Sequence, residues 1–176
     1  MPDDKTTLEI ELRGIANHHD VIILSGGVSK GKFDYVPQVL GSIGIEKHFH
    51  QVAQKPGKPF WFGSRDNTFV FGLPGNPVST YLCCYRYILP WLWRSLGAEI
   101  TQQHAVVAED YMFKPPLTYF LQVKIKNDNG RWMAYPRTGE GSGDFANLVE
   151  VDGFLELPAE KQGFEKGQPY RFIGFR

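Results

Sequence analysis

Cysteine is scarce in this chain of 176 residues: only Cys83 and Cys84 occur, side by side. Neighbours on a helix point about 100° apart, so the pair suits neither a disulfide nor a metal clip and reads as small core or interface residues in a reducing compartment. Net charge is also lacking, with nineteen basic against nineteen acidic side chains. No Lys/Arg cluster is dense enough for a nucleic-acid face. No run approaches the roughly 18 apolar residues of a bilayer span, and the opening MPDDKTTLEIE is polar and acidic, unlike a signal peptide. Repeats and low-complexity tracts are absent. The five histidines form no metal pattern: His48 and His50 are expected to share one side of a strand without a third ligand, and His18 and His19 close a first helix. These absences exclude zinc and redox chemistry and predict a soluble, cytoplasmic globular protein without nucleic-acid or membrane partners.

Glycine and proline, by contrast, are concentrated in three short segments. Thr68-Phe69-Val70-Phe71 reads as a buried strand that runs into FGLPGNPVS, Phe71 to Ser79. Pro77 suits the first helical position, with Asn76 as N-cap and an apolar run from Val78 to Leu89 behind it. Free N–H groups at such a turn, backed by the helix dipole, suit an anion. The plain alternative is a tight strand-to-helix turn. A second strand, Asp20 to Leu24, is apolar as expected of a parallel strand covered on both faces. It opens into Ser25-Gly26-Gly27-Val28-Ser29-Lys30-Gly31, and Asp34 is placed to cap a helix from Tyr35 to about Ser42. Between the two lies Lys55-Pro56-Gly57-Lys58-Pro59, where two prolines stiffen a segment carrying two ammonium groups.

The three motifs SGGVSxGxxDY, KPGKP and GLPGNPVS, in this order, closely resemble those of the molybdopterin molybdenumtransferases, the family of MoeA and the gephyrin E-domain. The resemblance covers essentially the whole chain. Residues 1–97 resemble the later part of the family's molybdenum-cofactor-biosynthesis domain and residues 98–176 its C-terminal β domain. Family members usually run to about twice this length, with further N-terminal domains and a Gly-Asp-Glu loop that has no counterpart here, so the chain reads as a fragment. Gln51 stands where family members can carry another lysine.

The expected organisation follows from periodicity and punctuation. Asp3 or Asp4 caps a helix to about His18, with Leu8, Leu12 and Ile15 on one face. His48 to Ala53 is a strand, Phe60 to Phe62 and Phe69 to Phe71 flank a hairpin loop at 63–67, and the helix from Pro77 kinks or breaks at Pro90 before ending near Gly97. Alternating β and α elements predict an α/β fold with an open, mostly parallel sheet, helices on both faces and the motifs at the strands' C-terminal ends. After Gly97, strands at 104–112, 117–126, 131–136, 153–157 and 169–175, with a turn at 127–130, predict a small all-β barrel or sandwich.

The resemblance implies insertion of molybdate into adenylylated molybdopterin, with release of AMP. Every reactant is an anion. Backbone N–H groups of Gly26, Gly27 and Gly75 would supply positive partial charge, within a binding set of Ser25, Ser29, Gly72, Pro74, Asn76, Pro77 and Ser79. Lys55 and Lys58 would neutralise molybdate and phosphate and stabilise the leaving AMP. Ser79 is equally readable as an ordinary first-turn hydroxyl. Asp34 is expected to carry Mg2+ as well as its cap role, and Asp3 is a further acidic candidate. Ser142, in Gly139-Glu140-Gly141-Ser142-Gly143, resembles a Gly-Ser loop of the family's β domain, a flexible linker being the alternative. The resemblance also implies a homodimer and a molybdopterin adenylyltransferase partner. Two other readings stay open: an adenylyltransferase of the same fold, and a non-catalytic gephyrin-like interaction module.

Overall fold

Asp4 opens the first helix, α1 (Lys5–Ala16), by accepting the Thr7 N–H at 2.8 Å. The structure, a computed structural model, describes residues 4–28, 35–137 and 146–175. The chain divides into two compact units, Met1–Val52 with Gly57–Thr80, and Ala53–Pro56 with Tyr81–Arg176.

The first unit is built on a four-stranded sheet of β1 (Val21–Ser25), β2 (Glu46–Phe49), β4 (Trp61–Arg65) and β5 (Thr68–Leu73), in the order β1-β5-β4-β2. Leu8, Leu12 and Ala16 of α1 and Val36, Val39 and Leu40 of α2 (Val36–Ser42) are buried in one core with Ile22, Leu24, Trp61 and Val70. Arg65 ties this layer together, donating to the Ile43 carbonyl at 2.8 Å and to Asn17 Oδ1 at 2.9 Å. The opposite face carries an aromatic row in which Phe62 lies 4.9 Å from Phe71 and 5.6 Å from Phe49.

The α/β class holds, with three differences of detail. In this sheet, among the described residues, only β1 and β5 pair in parallel; β4–β5 and β2–β4 are antiparallel, because β4 and β5 form a hairpin whose turn is Asp66-Asn67, shorter than the expected loop. β1 is not covered on both faces: it lies at the sheet edge and Ile23 is 52% exposed. The strand expected from His48 to Ala53 is also displaced: β2 runs from Glu46 to Phe49, and the next strand, β3 (Gln54–Lys55), begins only after Ala53 and belongs to the second unit.

Pro90 does not break its helix. α3 (Pro77–Cys83) passes through a π-helical turn, Cys84–Ile88, into α4 (Leu89–Ser95). Proline lacks the N–H of an i→i−4 bond and crowds that carbonyl; the wider turn, in which Leu89 N–H reaches the Cys84 carbonyl, absorbs both. Gly97, at φ 77°, ends the run in a Schellman turn with Ala98 N–H on Trp93 O at 2.9 Å and Gly97 N–H on Arg94 O at 3.0 Å.

In the second unit, β6 (Gln103–Val107), β8 (Thr118–Asp128), β9 (Arg131–Pro136), β10 (Gly153–Leu157) and β12 (Pro169–Gly174) pair in the ring β8-β9-β6-β12-β10-β8, a closed barrel as expected. Leu121, Val123, Ala134, Leu155 and Leu157 fill its interior. Asn129 and Gly130, both at positive φ, make the two-residue β8–β9 turn. β7 (Tyr111–Met112) pairs separately with β11 (Gly163–Phe164), which splits the expected strand 104–112, and a short helix, α5 (Asn147–Glu150), was not expected. The helical run after Thr80 packs on this unit: Arg86 makes a bidentate pair with Glu156 at 2.9 Å for both bonds, and Tyr81 meets Phe175 edge-on at 4.9 Å. That packing is why the compact units divide inside α3, whereas the sequence reading divides the chain at Gly97.

Candidate functional site

Two glycine turns meet at the ends of two adjacent parallel strands. Ser25, exposed at the end of β1, pairs with Leu73 at the end of β5, and the Gly26 N–H closes the pair by donating to the Leu73 carbonyl at 3.0 Å. The chain then turns through Gly26 and Gly27 at φ 85° and 69°. Positive φ is open to glycine at little cost and closed to most other residues. Gly27 has a second reason to be glycine, since a Cβ there would lie 2.8 Å from Val36 Cγ2.

The second turn is packed against the first. A Cβ at Gly75 would stand 3.5 Å from the Gly26 Cα, and one at buried Gly72 would lie 2.7 Å from Val28 Cγ1. Val28 is held in turn by His50, whose Nε2 donates to the Val28 carbonyl at 2.6 Å. His50 thus lies beyond the end of β2 and does not share a strand face with His48, whose Nε2 meets Ser64 Oγ at 2.8 Å. A single histidine outside any motif carries no sequence signal for such a bond.

Asn76 caps the helical run as expected, and Pro77 takes the first helical position. Asn76 Oδ1 accepts from the Ser79 backbone N–H and from its hydroxyl, so buried Ser79 acts in this geometry as a first-turn hydroxyl. Thr80 Oγ1 donates to the carbonyls of buried Pro74 and of Asn76. The turn is therefore braced from within, and it leaves exposed Gly75 at its tip beside Gly26.

The two lysines are exposed and belong to different units. In the first, the Lys58 carbonyl accepts from the Val52 and Phe60 N–H groups, each at 3.0 Å, which closes the loop on itself. In the second, Lys55 lies in β3, paired in parallel with β8 through Lys55 and Tyr119, and its Nζ sits 5.9 Å from the centre of the Phe113 ring. The Lys55–Pro56 peptide is cis. The residue before Lys55 is the one that sequence reasoning missed: Gln54 is 1% exposed, accepts a hydrogen bond from the Tyr87 hydroxyl on Oε1 and donates through Nε2 to the Pro56 carbonyl. A polar residue ahead of the motif reads as an ordinary strand position; its burial depends on partners about thirty residues away.

Asp3, Ser29, Asp34 and Ser142 lie outside the described residues. Among the described residues, no group of three or more His, Cys, Asp or Glu side chains could hold a metal ion. Among them too, no helix is long and apolar enough to cross a membrane.

The geometry has counterparts in known proteins. Residues 1–94 match the family described as "Probable molybdopterin binding domain" and residues 104–174 match the "MoeA C-terminal region (domain IV)". The chain is 40% identical, over 99% of its length, to a molybdopterin molybdenumtransferase of Synechocystis sp., and 28% identical over 89% of its length to one of Bacillus subtilis. It spans 43% and 37% of those two proteins, so it corresponds to about two fifths of the curated relatives it matches. Among solved structures, the molybdopterin biosynthesis MoeA protein from Pyrococcus horikoshii superposes with a TM-score of 0.78 at 31% identity, over 99% of this chain and 42% of that one. The chain belongs to the molybdopterin-binding-domain family in its MoeA form, in which that domain is followed by the MoeA C-terminal region.

Proposed function

We propose that the chain serves molybdenum cofactor biosynthesis as part of a molybdopterin molybdenumtransferase, inserting molybdate into adenylylated molybdopterin with release of AMP. The observation that carries the reading is the meeting of the Gly26-Gly27 and Gly72–Ser79 turns at the ends of β1 and β5. Ligands of open α/β sheets bind beyond the carboxyl ends of the strands. Turns free of side chains let a phosphate or oxyanion approach the backbone closely.

In this reading the backbone N–H groups of Gly27 and Gly75 bind phosphate oxygens, while Gly26, whose own N–H is committed to the Leu73 carbonyl, shapes the turn. Asn76 and Pro77 set the helix start behind them. Lys55 and Lys58 each bring an exposed ammonium to a reaction in which every reactant is an anion and charge develops on the leaving AMP. Ser25, Gly72, Pro74 and Ser79 shape and brace the turns, and Ser29 and Ser142 donate to oxyanions. The reading includes Mg2+ at Asp34 with Asp3 as a second carboxylate, both outside the described residues. It also includes a homodimer, a cytoplasmic location and a molybdopterin adenylyltransferase as the enzyme that hands over the substrate. The second unit supports insertion over adenylylation, since residues 104–174 match the MoeA C-terminal region.

The test is calorimetric titration with molybdopterin-AMP, beside Lys55→Ala and Lys58→Ala. The parent is expected to bind and each variant to weaken more than about tenfold, roughly 1.4 kcal/mol. A parent that stays folded by circular dichroism and does not bind overturns the assignment of the site to this chain.

A further inference from the structure

Gln54 is a costly residue in the place where it sits. It is 1% exposed, one of two buried polar or charged residues among those described, the other being the bracing Ser79. A methionine of similar length would fill the same space without a buried amide that has to find partners. Its bonds to Tyr87 and to Pro56 bear on one place. Oε1 accepts from Tyr87, whose phenol burial pushes up to about 12, so that it stays a proton donor over the physiological range. With the oxygen so engaged, Nε2 is turned to donate to the Pro56 carbonyl at 3.1 Å, with the Cys83 sulfur at 3.8 Å on the same atom.

The Nε2 bond spans Lys55. Alternation along β3 sends the Gln54 side chain inward and Lys55 to the opposite side, where it is exposed. On its N-terminal side Lys55 is held by the pairing with β8, where Thr118 N–H donates to the Ala53 carbonyl at 3.1 Å. On its C-terminal side the next carbonyl is held by the Gln54 amide. The Lys55 backbone is thus fixed on both flanks, and its ammonium stands over Phe113, itself stacked on Tyr119 at 4.1 Å. From this arrangement we infer that Gln54, oriented by Tyr87, is a positioning residue that aims the Lys55 ammonium at its anionic ligand. The inference rests on the reading of Lys55 as an anion-binding lysine.

The experiment is a double-mutant cycle read by calorimetric titration of the chain with molybdopterin-AMP. Gln54→Met is expected to weaken binding about fivefold or more in the parent and to have no further effect in Lys55→Ala, while its effect persists in full in Lys58→Ala. A purely structural role would carry the same loss into every background. Tyr87→Phe keeps the ring and removes only the hydroxyl that orients the amide; it is expected to reproduce the pattern, and it decides the matter if Gln54→Met does not fold. Normal binding by a folded Gln54→Met, or by Tyr87→Phe, beside a weakened Lys55→Ala overturns the inference alone. Normal binding by Lys55→Ala overturns the lysine's role and this inference with it.

Discussion

Asn76 Oδ1 accepts two hydrogen bonds from Ser79, at 3.0 Å from the backbone N–H and at 3.1 Å from the hydroxyl. One side chain so caps the helical run and commits the serine that sequence reasoning offered as a ligand donor. Replacing Asn76 by alanine is expected to cost about 1 kcal/mol of stability, the usual loss of an N-cap. Asn76→Asp should keep most of it, because a carboxylate accepts the same N–H and sits well at the helix dipole's positive end. Urea midpoints of the two variants check this; equal losses would show that the cap does not hold the turn.

The glycines of the two turns separate strain from crowding. Gly26 has positive φ with no atom within 4 Å of a Cβ, Gly72 has crowding without positive φ, and Gly27 has both. Gly26→Ala is expected to cost about 1 kcal/mol, the penalty of a left-handed conformation. Gly72→Ala must displace Val28 and Trp61, and overpacking of that kind costs about 1–3 kcal/mol. Gly27→Ala should lose the most. Thermal unfolding of the three single variants reads the order directly, and a Gly26→Ala loss as large as that of Gly27→Ala would contradict it.

What could be read from the sequence was local. Asn76-Pro77 before an apolar run names its own role, as does Asp4 before α1, because a cap and its recipient lie within three residues. The barrel was visible because several short strands follow one another with polar turns between them, and Asn129-Gly130 carries its own turn signal. The rest depends on residues far apart in the chain. Ile23 looks like any interior strand residue, and only the pairing order shows that β1 lies at an edge. Pro90 correctly signals a disturbed helix, yet the form of the disturbance, a π turn one step earlier, reflects packing of Ile88 in the core and of Arg86 on Glu156. Gln54 carried no signal, because nothing near it announces Cys83 or Tyr87.

Alkaline pH should destabilise the second unit. Burial pushes the Cys83 thiol from 9.0 up to about 12 and the Tyr87 phenol from 10.0 up to about 12. Both groups lose a proton more readily when unfolded, so the stability tied to their neutral forms is complete below about pH 9 and falls as pH rises from there toward 12. Denaturant midpoints between pH 8 and 11 should decline, and the decline should be shallower in Cys83→Ala. Identical slopes in parent and variant would contradict the assignment.

Glu156 holds more of the second unit than its single charge suggests. It accepts both Arg86 bonds at 2.9 Å and lies 3.6 Å from Arg171, its cross-strand partner in β12, so one carboxylate stands between two guanidinium groups. The Arg171 guanidinium is already held below its ordinary value by burial and by Arg86. Removing the carboxylate charge leaves two partly buried cations facing each other without a counter-ion. Glu156→Gln is therefore expected to destabilise by about 2 kcal/mol, less than the roughly 3–5 kcal/mol of breaking a fully buried pair because some solvent reaches the group. Arg86→Met in the same chain should recover part of that loss by relieving the repulsion. Unfolding free energies of the two single variants and the double variant settle it, and additive losses would show that Arg86 and Glu156 act independently.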